Sequence, residues 1–214
     1  MILIVDDHQV VIEGIKRALI AHPEFEVVGT AHNGHEAVSA AKSLKPDIVI
    51  MDISMPDLNG IEATLQIKKL DPKTGIVVFT MYSHTEYVID LFSAGIGGYV
   101  LKEDSLSELI TAIEAIRAGG TYFTAPVQEI VRRHLKDLRS GTAQPRDPLS
   151  ALSLREREVF NLLAQGETIK DIAAKLGLSA KTVESHKYNL MAKLGIRTVY
   201  ELTRMAIKIR YINP

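Results

Sequence analysis

The sequence has no cysteine, no strong net charge and no long hydrophobic run, and each absence excludes a class of protein. Without cysteine, the chain can form neither disulfides nor thiolate metal sites. No apolar run approaches the roughly 20 residues that a membrane-spanning helix needs. The first apolar run, residues 1–5, is followed at once by Asp6 and Asp7, which is unlike a signal peptide. We therefore expect a cytoplasmic protein with no membrane partner.

The net charge of −1 conceals an uneven distribution along the 214 residues. Residues 1–118 contain 17 Asp and Glu against 9 Lys and Arg, a net charge of −8. Residues 119–149 carry +2, and residues 150–214 contain 6 acids and 11 bases, a net charge of +5. An acidic first part and a basic last part indicate two domains with different partners, and the basic part is a candidate for binding nucleic acid.

Residues 1–118 alternate short β-branched runs with amphipathic helical patterns, which is typical of a parallel sheet covered by helices. We predict strands at residues 2–5, 26–30, 48–51, 76–79 and 99–101. Helices are predicted at residues 9–21, 34–43, 60–70, 85–94 and 106–118, the last beginning with a capping-box pattern at Ser105 and Glu108. The order predicts an α/β domain with a doubly wound, five-stranded parallel sheet of the flavodoxin-like kind.

The remainder of the chain is predicted to contain a linker and a small all-α domain. Residues 119–149 are interpreted as a linker with a helical segment, whose apolar face is formed by Val127, Ile130, Val131, Leu135 and Leu138. Residues 140–148, rich in Gly, Pro and polar side chains, have the composition of a linker. Residues 150–214 are predicted to form four helices, the first with a capping box at Ser153 and Glu156.

Polar residues follow four of the five predicted strands, at the point where each strand ends. Asp6 and Asp7 follow the first strand, Asp52 the third, Thr80 the fourth and Lys102 the fifth. The carboxyl ends of parallel strands share one edge of a sheet, which is where such folds bind ligands. Clustered carboxylates repel one another unless a cation joins them, and an all-oxygen set suits Mg²⁺.

A carboxylate next to Mg²⁺ can also attack phosphorus and form an aspartyl phosphate. Lys102 and Thr80 would then stabilise the new phosphoryl oxygens. Each residue taken alone has an ordinary explanation, because Asp often caps helices or occupies turns and Lys is usually a solvated surface charge. The occurrence of all of them at strand ends is what favours a phosphorylation site.

Residues 1–118 resemble the receiver domain of two-component response regulators. The matching motifs are IVDDH at residues 4–8, MDISMPDLNGIE at 51–62, VFTMY at 78–82 and GYVLKE at 98–103. The resemblance implies that Asp52 is the phosphoacceptor. It further implies that Mg²⁺ is held by the side chains of Asp6, Asp7 and Asp52 and by the backbone carbonyl of Ser54. Thr80 and Lys102 would hold the phosphoryl group, and the rotamer of Tyr99 would follow Thr80 as a switch.

Two predicted helices of the last part are joined by a turn at Gly177–Ser179, which is the arrangement of a helix-turn-helix whose second helix enters the major groove. Helical spacing directs Val183, Leu190 and Leu194 toward the core. The predicted DNA-contacting residues are Lys181, Thr182, Glu184, Ser185, Lys187, Tyr188 and Asn189. Lysines and hydroxyls suit phosphate contacts. From spacing alone, a small helical bundle that binds protein remains an alternative.

Residues 152–196 resemble the LuxR-type DNA-binding domain of the NarL/FixJ family, most specifically in LSLREREV at 152–159 and KTVESHKYN at 181–189. The resemblance implies that His186 and Asn189 lie on the recognition helix and that residues 200–207 form dimer contacts. It implies a transcriptional response regulator that receives phosphate from a sensor histidine kinase. Phosphorylation would then control homodimerisation and binding to double-stranded promoter DNA.

Two other functions remain as alternatives. A phosphohydrolase of the haloacid dehalogenase type also forms an aspartyl phosphate, but its nucleophile belongs to an Asp-x-Asp pair after the first strand. Here Asp6 and Asp7 are adjacent and Asp52 is followed by Ile53 and Ser54, so we do not expect an enzyme. The second alternative is a constitutive DNA-binding protein whose receiver is only a dimerisation scaffold, and the complete acidic set argues against it.

Overall fold

The computed structural model describes residues 1–140, 149 and 152–208. The chain divides into two compact units, Met1–Ala143 and Gln144–Pro214. No helix within the described ranges has both the length and the apolar character needed to cross a bilayer.

The first unit is built on a six-stranded parallel sheet with the strand order β2-β1-β3-β4-β5-β6. Its strands are β1 (Ile2–Val5), β2 (Val27–Ala31), β3 (Ile48–Met51), β4 (Gly75–Thr80), β5 (Gly98–Leu101) and β6 (Tyr122–Phe123). Its helices are α1 (Gln9–Leu19), α2 (Gly34–Leu44), α3 (Gly60–Leu70), α4 (Thr85–Ser93), α5 (Leu106–Arg117) and α6 (Ala125–Ser140). The five predicted strands are confirmed to within one residue at each end.

The central strands are buried on both faces, as parallel strands covered by helices are. Every residue of β1, β3 and β5 is buried. Alternate residues of β1, Ile2 and Ile4, join α1 and α5 in one core that includes Ile12 and Ile113. On the other side α2 packs against α3, and α3 against α4. This arrangement leaves the carboxyl edge of the sheet as the place where polar side chains collect.

Two predictions for the first unit were wrong in detail. The sheet has a sixth strand, because β6 pairs in parallel with β5 and places Phe123 opposite Tyr99. The side chain of Ser105 makes no capping hydrogen bond. The carboxylate of Glu108 instead accepts a hydrogen bond from the Tyr122 hydroxyl, which β6 brings within reach of α5.

The helical segment that the sequence predicted within the linker forms α6 and belongs to the first unit. It packs against α4, and the Phe123 ring just before it meets the Phe92 ring of α4 edge-on, with 6.0 Å between centroids. Val127 and Val131 of the predicted apolar face are buried, whereas Leu138 near its end is 57% exposed. Of the linker predicted at residues 140–148, Ser140 ends α6 and residues 141–148 lie outside the described residues.

The second unit is all-helical, with α7 (Leu154–Ala164), α8 (Ile169–Leu176), α9 (Ala180–Leu194) and α10 (Val199–Lys208). The predicted capping box is present, because the Ser153 hydroxyl accepts from the Glu156 N–H and the Glu156 carboxylate accepts from the Ser153 N–H. Helices α8 and α9 each end at a glycine with positive φ, Gly177 and Gly195, a conformation that strains other residues.

Candidate functional site

The structure brings the predicted acidic residues together at the carboxyl edge of the sheet. Asp6 follows β1 and Asp52 follows β3, and both are buried, while Thr80 ends β4 with no exposure. Lys102 follows β5 and directs its ammonium between the two carboxylates, 2.6 Å from Asp6 Oδ2 and 2.8 Å from Asp52 Oδ2. Because β1 and β3 are neighbours and β4 and β5 follow in order, four distant segments of sequence form one pocket.

Backbone contacts around Asp52 fix its place in this pocket. Its N–H donates to the Val5 carbonyl at 2.9 Å, which continues the pairing of β3 with β1 one residue beyond the end of β3. After a loop that contains Asp57 at a φ of 63°, the chain begins α3 at Gly60. A Cβ atom on Gly60 would lie 2.0 Å from the Asp52 carbonyl oxygen. Only glycine therefore lets α3 begin so close to the backbone of Asp52.

Burial and the neighbouring charges act on Asp52 and Lys102 in different directions. Burial raises the pKa of Asp52, and the charge and hydrogen bond of Lys102 offset only part of that increase. Burial by itself lowers the pKa of Lys102, but Asp52 and Asp6 together outweigh it and raise the pKa above its usual value. Lys102 is therefore a charged ammonium between two carboxylates, and Asp52 is an acid held in an environment that disfavours its charge.

The oxygen atoms of the pocket fit a divalent cation. Candidate ligand atoms of Asp6, Asp7, His8 and Asp52 lie within 4.8 Å of one another. The Oδ1 atom of Asp7 is buried and accepts no hydrogen bond. A buried carboxylate oxygen without a donor is unfavourable unless a cation or another donor satisfies it. Ser54, predicted to contribute its carbonyl, lies in the same loop, with its N–H 3.4 Å from Asp52 Oδ1.

The two predicted switch residues are both fully buried. The Thr80 hydroxyl has no hydrogen-bond partner, although it lies at the end of β4 beside the pocket. The Tyr99 ring is buried in β5, and its hydroxyl donates to the Tyr82 carbonyl at 2.7 Å. Burial, with a smaller contribution from the charge of Asp52, raises the pKa of Tyr99, so the phenol stays protonated and remains a donor.

The sequence analysis missed two residues of this site. The Tyr82 hydroxyl lies 3.4 Å from the Ser54 hydroxyl, so this side chain links the loop after β4 to the loop after β3. His8 places its Nδ1 2.9 Å from Asp7 Oδ1. The sequence held a signal for His8, which directly follows the two aspartates, but none for Tyr82, whose position depends on how the two loops fold.

In the second unit, α8, the turn at Gly177 and α9 form the predicted helix-turn-helix. Val183 and Leu190 are buried in the core and Leu194 packs against it, as the helical spacing predicted. Six of the seven predicted DNA-contacting residues are exposed on α9, and Lys187 is half-buried. A surface pocket of about 540 Å³ is lined by Lys181, Glu184, Ser185, Tyr188 and Asn189.

Some polar groups of α9 are used by the helix itself. The Ser179 hydroxyl caps α9 and lies 2.8 Å from the Thr182 hydroxyl, while the Ser185 hydroxyl donates to the Lys181 carbonyl. His186 is half-buried on α9, and this burial lowers the pKa of its imidazole. The groups most available to a partner are therefore the side chains of Lys181, Glu184, Tyr188 and Asn189.

Each of the two units matches the model of a known protein family. Residues 2–114 match the model of the response regulator receiver domain. Residues 150–206 match the model of the bacterial regulatory proteins of the luxR family. The two matches fall on the two units separately and cover most of the chain.

The similarity to individual known proteins extends over nearly the whole length of the chain. The chain is 38% identical to the oxygen regulatory protein NreC of Staphylococcus aureus, across 99% of both chains. It is similar to a structure of the RcsB response regulator of Salmonella typhimurium, with 28% identity, a TM-score of 0.61 and coverage of 95% and 96% of the two chains. A structure of RcsB from Salmonella enterica serovar Typhimurium, bound to promoter rprA with the phosphomimetic BeF3−, matches with 28% identity, a TM-score of 0.57 and the same coverage.

Proposed function

We propose that phosphorylation of Asp52 is the signal that this protein receives, since the chain belongs to the response regulators that join a receiver domain to a LuxR-type DNA-binding domain. It is thus a DNA-binding response regulator of a two-component system. The proposal concerns which residues receive the signal and how it reaches DNA.

The phosphoryl donor is a phosphohistidine of a sensor histidine kinase. A carboxylate oxygen of Asp52 attacks the phosphorus, the new O–P bond forms, and the N–P bond of the donor breaks with its electron pair returning to the imidazole. Lys102, which already lies 2.8 Å from Asp52 Oδ2, remains beside the modified side chain and pairs with a phosphoryl oxygen. Asp6 keeps the ammonium in place through its own contact at 2.6 Å.

The residues of the pocket fit Mg²⁺. The carboxylates of Asp6, Asp7 and Asp52 and the carbonyl of Ser54 are the hard oxygen ligands that this ion prefers, and the buried Asp7 Oδ1 accepts no hydrogen bond that would compete with the ion. When bound, Mg²⁺ would neutralise part of the charge on the entering phosphoryl group.

The observation that carries the proposal is the unused hydroxyl of Thr80. It is fully buried beside the pocket without a hydrogen-bond partner, which is unfavourable in the resting protein. A phosphoryl oxygen on Asp52 would provide the missing acceptor. A shift of Thr80 toward that oxygen opens space behind it, and Tyr99 is the residue we propose to respond.

The second unit binds double-stranded DNA through α9. Lys181 and Lys187 are proposed to contact phosphates, and Glu184, Tyr188 and Asn189 to face base edges in the major groove. The exposed ring of Tyr200 and the side chain of Arg204 on α10 are proposed to lie in the dimer contact. A phosphorylated dimer would then bind two half-sites one or more helical turns apart.

The proposal is tested with full-length protein treated with beryllofluoride and Mg²⁺, beside the Asp52→Asn variant treated in the same way. Sedimentation and binding to a library of genomic promoter fragments are measured for both. We expect dimerisation and a gain in DNA affinity in the wild type alone. Equal DNA binding by treated and untreated wild type would contradict the proposed signal and favour a constitutive DNA-binding protein.

The proposal also includes a cytoplasmic location and the absence of catalytic hydrolysis of phosphomonoesters. Sensor kinase and promoter DNA both have to reach the same protein, and the cytoplasm is where they do. Incubation with small phosphomonoesters is expected to release no more phosphate than the Asp52→Asn variant does. Sustained release by the wild type would revive the phosphohydrolase alternative.

A further inference from the structure

We propose that Glu184 is a specificity-determining residue of α9, and that its carboxylate accepts a hydrogen bond from the amino group of one cytosine in each DNA half-site. This role rests on the proposed binding of DNA by α9 and adds to it the base that one side chain selects. It explains why a helix directed at a polyanion exposes a negative charge on its binding face.

The fold of α9 makes no use of the Glu184 carboxylate. Glu184 is the fifth residue of the helix and the first turn contains no acidic residue, so this charge is not placed to stabilise the helix N-terminus. Lys181 and Lys187, three residues away on either side, have the spacing of ion-pair partners. Glu184 nevertheless forms no ion pair or hydrogen bond with any residue that the structure describes. Its carboxylate is therefore available to a partner.

The hydroxyl groups near Glu184 on α9 are already engaged within the helix. The Ser185 hydroxyl donates to the Lys181 carbonyl at 3.0 Å, and the Thr182 hydroxyl lies 2.8 Å from the Ser179 hydroxyl that caps the helix. Glu184 is exposed and lines the surface pocket on α9. The N-terminal residues of a recognition helix are those that contact base edges. Glu184 thus offers an unused acceptor where a base would lie.

A carboxylate in the major groove favours one base over the other three. The phosphates of the backbone repel it, so it weakens DNA binding unless a donor in the groove compensates for the repulsion. Guanine presents two acceptors in the groove and thymine presents one, and these repel a carboxylate. Adenine presents its amino group beside the N7 acceptor, whereas the amino group is the only polar group that cytosine presents there. Cytosine is therefore the base that Glu184 favours most.

Glu184 contributes to specificity by repulsion as well as by attraction. The hydrogen bond stabilises the complex with the selected site, and the unpaired carboxylate destabilises complexes with other sequences. Because a symmetric dimer presents α9 twice, the selected cytosine should occur at symmetry-related positions in the two half-sites.

The test is the selection of double-stranded sequences from a random library by the full-length protein treated with beryllofluoride and Mg²⁺. We expect the wild type to select a C·G pair at one position of each half-site and to discriminate against T·A there by about 5- to 150-fold. Glu184→Gln should select A·T at this position instead, because an amide pairs with adenine N6 and N7. Glu184→Ala should show no preference there.

Two measurements exclude a general effect of charge. Glu167→Gln removes the same charge from the second unit, at an ion pair with Lys175 outside α9, and should leave the selected bases unchanged. Glu184→Gln should bind DNA of random sequence more tightly than the wild type does, because the repulsion from phosphates is removed, yet bind the wild-type site more weakly. Retained binding to random DNA also shows that the variant is folded.

The outcomes separate this role of Glu184 from the proposed function. Identical base preferences in the wild type and Glu184→Ala would refute the role of Glu184 and leave DNA binding by the second unit intact. A treated wild type that selects no sequence and gains no affinity for DNA would contradict the proposed function itself. A change from C·G to A·T in Glu184→Gln alone, with Glu167→Gln like the wild type, would establish the contact.

Discussion

Gly60 offers the sharpest test of how the phosphoacceptor is positioned. In Gly60→Ala the added Cβ would lie 2.0 Å from the Asp52 carbonyl oxygen and 2.7 Å from the Ile53 Cα. Real Cβ atoms essentially never approach closer than 3.0 Å, so the atoms must separate by at least 1.0 Å. Both neighbours are backbone atoms of a buried segment, which cannot yield by a change of rotamer.

The expected loss of stability follows from two effects. Overpacking of a filled interior costs about 1–3 kcal/mol. The movement of α3 away from Asp52 also lengthens the hydrogen bond from the Gly60 N–H to the Ile53 carbonyl, now 3.1 Å, which is worth about 1 kcal/mol. We therefore expect the free energy of unfolding of the first unit to fall by about 2–4 kcal/mol.

Hydrogen exchange followed by mass spectrometry measures this loss in the full-length protein, because peptides from β1 and β3 report on the first unit alone. A loss of 2–4 kcal/mol corresponds to globally exchanging amides that exchange about 30- to 900-fold faster. The control is Gly14→Ala in α1, where a Cβ would meet no atom within 4 Å. There the greater helix propensity of Ala should slow exchange, with a gain of up to about 1 kcal/mol.

The reasoning also predicts a functional effect. A displaced Asp52 backbone moves its carboxylate away from Lys102, so Gly60→Ala should accept phosphate from small donors more slowly than Gly14→Ala does. Gly60→Ala with wild-type exchange in β1 and β3 would refute the packing argument. Wild-type exchange combined with slow phosphorylation would show that position 60 acts on the chemistry by another route.

Three further predictions follow from the charges. In metal-free buffer, Asp52→Asn should raise the unfolding free energy of the first unit at pH 7, because Asp6 still pairs with Lys102 and the neutral amide avoids the cost of burying a charge. Because the folded-state pKa of Asp52 is raised above 3.8, the difference should vanish below pH 3.8 in urea titrations. Glu156→Gln should destabilise the second unit by about 1–2 kcal/mol. Burial alone would raise the pKa of Glu156, but the bonds from Lys193 and Ser153 outweigh it and lower the pKa below its usual value. The loss of stability in Glu156→Gln should therefore be complete above pH 4.5 and should vanish as the pH falls through the folded-state pKa of Glu156. Calorimetry at several pH values measures this dependence. Lys181→Ala should weaken DNA binding for all sequences and reduce the salt slope by about 1, unlike Lys42→Ala on α2 in the same fluorescence titration.

Most of the pocket could be predicted because its residues follow directly from strand ends. Once four strands are located, parallel pairing alone brings Asp6, Asp52, Thr80 and Lys102 to one edge. The recognition helix could be predicted equally well, because Val183 and Leu190 at helical spacing define its buried side. In both cases a local pattern determines a position in space.

The features that sequence analysis missed depend on contacts between segments. Strand β6 has only two residues, too few for a detectable alternation, and exists because β5 offers it an edge. The capping box expected at Ser105 and Glu108 does not form: the Ser105 hydroxyl is paired with the Ser107 hydroxyl, and the Glu108 carboxylate accepts from Tyr122, fourteen residues later. Tyr82 reaches Ser54 only because two separate loops fold over the same edge.

The course of β6 bears on how a change at Asp52 would travel through the first unit. Tyr99, the proposed switch, lies opposite Phe123 in the sheet, and its carbonyl accepts the Thr124 N–H. Phe123 in turn touches Phe92 of α4, against which α6 packs. We therefore expect any movement of Tyr99 to act first on β6, the strand that leads into α6. A receiver dimer formed through α4 and β5 would first have to displace β6 and α6, whereas Val10 and Ile20 at the two ends of α1 are already exposed. The sixth strand thus lies between the proposed switch residue Tyr99 and α6, and it covers the edge of β5 that would otherwise be free to pair.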